Sequence, residues 1–148
     1  MGVRLFALLI ASVSGMAMAL QGTLNASLSK GIGLMEATFV VHLVGLALVS
    51  VLLFIFKMGH LRPELFVQAP LYSYLGGILG VIIIYLVMKS IPKVGVAPAT
   101  TAIILGQVFT AGFIDHLGLF GIDKTPFNWC RIGGTLLMAG GAWLILRK

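Results

Sequence analysis

The chain has 148 residues, of which 59% are hydrophobic and 9% charged, with a formal net charge of +6 and a mean hydropathy of +1.11. Ordinary soluble domains carry roughly 25% charged residues, so this composition lacks the polar surface that would keep a protein in water and excludes the soluble classes. The cations do not argue for a nucleic-acid partner either, because Lys and Arg stand one or two at a time at the ends of apolar stretches, where snorkelling and headgroup contact account for them.

Hydropathy predicts membrane-spanning helices over residues 4–30, 37–56, 71–88, 94–114 and 126–146, each near the ~20 apolar residues needed to cross about 30 Å of hydrocarbon. The fold class is therefore an all-α integral membrane protein with a single domain over residues 1–148. The last helix must begin near Pro126 and carry Arg131 in its first turns. Pro63, Pro70, Pro92 and Pro126 fall in connections or at helix starts, and Pro98 falls near the first turn of the fourth helix, so none interrupts a helix centre. Tyr72, Tyr74, Trp129 and Trp143 lie near helix ends, as an interfacial aromatic belt requires.

With those spans, Arg4, Lys57, Arg62, Lys124 and Arg131 fall on one side of the membrane, and Lys30, Lys89, Lys93, Arg147 and Lys148 on the other. Orientation follows an excess of Lys and Arg in cytoplasmic loops. An even division supplies none, so the chain is expected to insert both ways up.

The first helix places Ser14, Met18, Gln21 and Asn25 within about 60° of one another at 100° per residue. Beside them runs a stripe of small residues, Ala11, Gly15, Ala19, Gly22 and Ala26. Small residues permit close backbone approach, and amides avoid lipid by turning to a partner helix or a cavity. Gln21 and Asn25 are thus substrate contacts or interhelical glue, with Gln21 the better-placed of the two. Residues 1–19 have the form of a signal peptide, but the helical pattern continues past Ala19 to Leu28 without the usual boundary. Asn25-Ala26-Ser27 matches a glycosylation sequon and is expected to have no such role at a helix end close to the bilayer.

The second helix carries Glu36 at its entry and His42 further in, about 120° apart. Glu36 either complements the helix N-terminus or takes part in transport chemistry. His42 is an ionisable group inside the bilayer, and hence a functional candidate or a neutral hydrogen-bonded contact. In the third helix, Gly76 and Gly80 form a small-xxx-small face, with Tyr74 and Tyr85 nearly opposite, lining a cavity or anchoring the helix. The fourth places Thr100, Gln107, Ala111 and Asp115 within about 80°, with Gln107 close to mid-span as the strongest binding candidate. Asp115 and His116 close this helix, where Arg131 can hold Asp115 in an ion pair; a proton-carrying role is the alternative. Gly133-Gly134 and Gly140-Gly141 recur seven residues apart in the fifth helix and, with Gly15, read as packing positions. Cys130 stands alone, no metal-ligand spacing occurs, and no cofactor or enzyme chemistry is indicated.

In order along the chain, Gln21-Gly22-Thr23-Leu24-Asn25-Ala26-Ser27-Leu28, Gly76-Gly77-Ile78-Leu79-Gly80, Gly106-Gln107, Asp115-His116-Leu117-Gly118 and Arg131-Ile132-Gly133-Gly134 resemble the YdcZ-like family, the short five-helix branch of the drug/metabolite transporter superfamily. The resemblance covers essentially the whole chain. It implies a secondary transporter of a small polar or cationic organic solute in the bacterial inner membrane. Two oppositely oriented chains would form an antiparallel ten-helix inverted-repeat homodimer embedded in membrane lipid. Inverted repeats provide two packings, open to either side, around a midplane site. Substrate would then meet Ser14, Gln21, Asn25, Tyr74, Tyr85 and Gln107, and Glu36, His42 or Asp115 would carry a coupling proton. His42 departs from the aromatic residue expected there. The competing reading is a structural or regulatory membrane partner; a passive channel lacks the charged ring or carbonyl filter it would need.

Overall fold

The computed structural model describes residues 2–60 and 62–147. Its helices are α1 (Gly2–Ile32), α2 (Leu34–Ser50, continued by a π-turn over Val51–Ile55), α3 (Pro63–Gln68), α4 (Leu75–Val94, entered through a 3-10 turn at Leu71–Tyr74), α5 (Val96–Leu117) and α6 (Trp129–Leu146). Five segments are long and apolar enough to cross a membrane: Gly2–Ile32, Leu34–Ile55, Leu71–Val94, Val96–Leu117 and Trp129–Leu146. The protein is all-helical, with no strand among the described residues. Lys148, counted in the charge balance, lies outside them.

Two compact units divide the chain, Met1–Lys93 and Val94–Lys148. In the first, α1 packs against α2, and α4 lays Val87 and Ile91 against Gly22 of α1. The buried positions are Gly22, Asn25, Ala26 and Ser29 on α1, Ala37 and Thr38 on α2, and Met88 and Ile91 on α4. Gly22 sits at the close approach: a Cβ there would lie 3.0 Å from Val87 Cγ1 and 3.2 Å from Ile91 Cδ1. The second unit is the α5–α6 hairpin.

Most of the remaining apolar surface is open on the single chain. Lipid requires that of a spanning helix, since hydrocarbon tails are as apolar as Leu. α1 has 31 residues, roughly 46 Å at 1.5 Å per residue, and exceeds the ~30 Å hydrocarbon core. It runs unbroken through Ala19.

Several expected boundaries are corrected. The gap anticipated between residues 30 and 37 is one residue, Gly33, and that between residues 88 and 94 closes to Gly95. Charges suggested wider breaks, but Lys30 lies in the last turn of α1, Glu36 in the first turn of α2 and Lys93 in the last turn of α4. Cations at C-termini and anions at N-termini complement the helix dipole, so these residues are absorbed into helices. Both glycines have backbone angles that a side chain disfavours, φ 100° and ψ 158° at Gly33 and φ 93° and ψ 165° at Gly95; this region is essentially confined to glycine. Pro92, expected in a connection, lies within α4, in its last turn. The final helix begins at Trp129 rather than near Pro126, because Asn128 is its N-cap and accepts a hydrogen bond from the Arg131 N–H at 2.8 Å.

Candidate functional site

Helix α1 exposes Ser14 and Gln21 on one face of the chain and buries Asn25 on the same face a turn later. The change follows from packing: Gly22, Asn25, Ala26 and Ser29 are where neighbouring helices close over α1. Asn25 therefore belongs to the packed end of the face and Gln21 to its open stretch. Ser29 Oγ donates to the Ala26 carbonyl at 2.9 Å, and Thr23 Oγ1 to the Ala19 carbonyl at 2.9 Å, so both hydroxyls are satisfied by their own helix.

Two ionisable groups of α2 are held in different ways. The Glu36 carboxylate folds back over the Cα of Gly33, so that a Cβ on Gly33 would collide with it. This sets a negative charge at the helix N-terminus, where it is stabilising. His42 is half-buried, and its Nδ1 lies 2.7 Å from the Thr38 carbonyl. A carbonyl only accepts, so Nδ1 is the donor; in the neutral ring, Nε2 is left as an acceptor. Thr38 in turn donates Oγ1 to the Leu34 carbonyl at 2.7 Å, giving a ladder of side-chain bonds along one face of α2.

In the 3-10 turn that enters α4, Tyr74 donates its hydroxyl to the Phe66 carbonyl at 2.6 Å. Its polar end is thereby committed to the connection preceding the helix. Tyr85 is half-buried, with Lys89 Nζ 5.8 Å from its ring centroid. Gly15, Gly76, Gly80, Gly133 and Gly140 have no described atom within 4 Å of where a Cβ would stand, so they make no close approach within the chain.

The second unit exposes Gln107 near the middle of α5 and ties down the end of that helix. Gly118 takes the left-handed conformation, φ 66° and ψ 41°, and donates its N–H to the Ile114 carbonyl, a glycine C-cap. The returning chain is stitched to α5 by Thr125 N–H donating to the Asp115 carbonyl at 2.7 Å and Phe127 N–H donating to His116 Nδ1 at 3.3 Å. The Phe127 ring lies 5.2 Å from that of His116 and covers Gly112. Arg131 Nη1 meets Asp115 Oδ2 at 3.4 Å, both side chains about two-fifths exposed at 42% and 41%. Such an exposed pair contributes at most about 1 kcal/mol, so the main-chain bonds are the larger part of this anchor. Sequence reading found Asp115 and Arg131 but missed the Phe127–His116 contact, for which the aromatic residue shortly before Trp129 was the only available signal. Among the described residues, no group of three His, Cys, Asp or Glu is placed to hold a metal ion.

Five apolar helical spans, with polar amides on otherwise apolar surfaces and only short connections between them, define an integral membrane protein. The chain belongs to the family described as "Putative inner membrane exporter, YdcZ", whose profile matches residues 6–144. That places it in the inner membrane, in a family of exporters rather than of enzymes. No curated protein and no solved structure matches.

Proposed function

We propose that the protein is a secondary transporter that exports a small polar or cationic organic solute by alternating access, working as a dual-topology antiparallel homodimer. The observation that carries this reading is Gln107, a primary amide near the centre of a membrane-spanning helix and exposed on the single chain. Leaving an amide unpaired in an apolar medium costs about 2–7 kcal/mol, so the face bearing Gln107 calls for a polar partner, a hydrated cavity or a bound solute. Gln21 and Ser14 make the same demand on α1. Substrate contact by Gln107 and Gln21 meets it, with Asn25 acting mainly through packing and Tyr85 as a further wall residue. Glu36 is the leading candidate for the coupling proton, ahead of His42 and Asp115, because a carboxylate also competes for a cationic solute.

The test is saturable, gradient-dependent solute flux in reconstituted vesicles, comparing the native chain with Gln107→Leu. The variant should assemble as the native protein does and lose substrate binding. A Gln107→Leu protein that loses its dimer yet binds solute normally once stabilised would show that the amide is interhelical glue.

A further inference from the structure

The connection between the second and third spans carries three consecutive apolar side chains, Leu65, Phe66 and Val67, that remain 49%, 53% and 89% exposed. Runs of three or more exposed apolar residues are avoided on water-facing surfaces unless they have a function. Exposed Lys57, His60 and Arg62 precede them, with Glu64 within the same segment. The sole ion pair among the described residues is Asp115–Arg131, so neither Lys57 nor Arg62 is paired with Glu64. The segment does not project freely from the membrane end: the Tyr74 hydroxyl at the entry to α4 holds the Phe66 carbonyl at 2.6 Å, drawing α3 back to the level where the span begins. Tyr72 and Tyr74 stand at that level, as interfacial aromatics do.

The geometry points to α3 and its flanks as an interfacial anchor for anionic phospholipid, with Leu65, Phe66 and Val67 lying in the headgroup and upper acyl zone and Lys57 and Arg62 contacting lipid phosphate. Apolar side chains beside free cations match the two-part chemistry of that zone, where apolar burial and attraction to anionic headgroups act together. Water satisfies only the cations, and hydrocarbon only the apolar triplet.

The experiment uses the full chain carrying Trp129→Phe and Trp143→Phe, so that Phe66→Trp is the single indole reporter, in vesicles of phosphatidylcholine with and without phosphatidylglycerol. The reporter should emit to the blue of a water-exposed indole and be quenched by brominated lipids but little by aqueous iodide. In equal mixtures, brominated phosphatidylglycerol should quench more strongly than brominated phosphatidylcholine. Lys57→Gln and Arg62→Gln should each lower that preference about five-fold, the effect of one cation near an anionic surface. Iodide quenching of a red-emitting reporter would overturn the anchor. Blue emission without bromine quenching would overturn it in favour of protein–protein contact, and equal quenching by both lipids would overturn the assignment to anionic lipid.

Discussion

The two glycine joints permit a test in which the cost of backbone strain can be separated from the cost of a collision. Alanine at Gly95 would be forced to φ 93° and ψ 165°, with its Cβ in ordinary contact, 3.7 Å from Pro98 Cδ. Strain alone operates there, at about 1–3 kcal/mol. Alanine at Gly33 meets nearly the same backbone angles and also the Glu36 carboxylate lying over the Cα. Moving that carboxylate away sacrifices its interaction with the N-terminus of α2, a further 0.3–1 kcal/mol or about that. Gly33→Ala should therefore destabilise more than Gly95→Ala, and in a Glu36→Ala background the two should cost the same. Unfolding titrations in mixed detergent micelles, followed by helical circular dichroism, measure all the required differences. A Gly95→Ala protein as stable as the native chain, or a Gly33 surplus that persists without the Glu36 carboxylate, would refute the reasoning.

Other substitutions probe packing and coupling. Gly22→Leu should destabilise the chain by about 1–3 kcal/mol through overpacking, because Val87 and Ile91 already occupy the space. Gly80→Leu should leave that stability unchanged and lower the recovery of cross-linked dimer, since its surface is open within the chain. In transport, Glu36→Gln should abolish uptake driven by a pH gradient while sparing solute exchange, which moves no net proton. His42→Gln measured beside it should retain both activities, and full gradient-driven uptake in both variants would remove both residues as carriers.

The spans were legible because each apolar run is long enough to exceed any local signal within it. Their ends were less legible, since a charge at a helix end has two meanings. Lys30, Glu36 and Lys93 suggested connections, yet each sits where its sign suits the helix dipole, so the helices absorb them and are interrupted only at Gly33 and Gly95. Asn128 carried a readable cap signal that Pro126, two residues earlier, obscured. At the candidate site, helical periodicity put Gln21 and Asn25 on one face, but periodicity does not tell where along that face a neighbour closes. Gly22 and its contacts with Val87 and Ile91 determine that, and they are distant in sequence. Likewise the Asp115-His116-Leu117-Gly118 run was visible as a motif, while its work of capping α5 and receiving Thr125 and Phe127 depends on how the returning chain lies against the helix end.

The connections alternate in length along the chain, and that pattern determines how orientation can be tested. Gly33 and Gly95 are single-residue joints, whereas residues 56–70 and 118–128 form the longer ones. If successive spans alternate in direction, the short joints share one side with Lys30, Lys89, Lys93 and Arg147, and the long ones share the other with Lys57, Arg62, Lys124 and Arg131. Cations near span ends count toward orientation whether they lie in a loop or in a last helical turn, so the even division persists despite the unequal loops. Added charge has fewer possible positions. A lysine at Gly33 or Gly95 would be strained, so the long connections, of which the segment 57–69 is the longer, serve for bias in one sense and an extension after Arg147 for bias in the other. Two or three lysines at either place should convert a C-terminus found on both sides of the membrane, by reporter fusion or thiol labelling, into one found on a single side. Neither biased chain alone should support flux, and the two coexpressed should restore it. A native C-terminus confined to one side, or full flux from a single biased chain, would rule out the antiparallel pair.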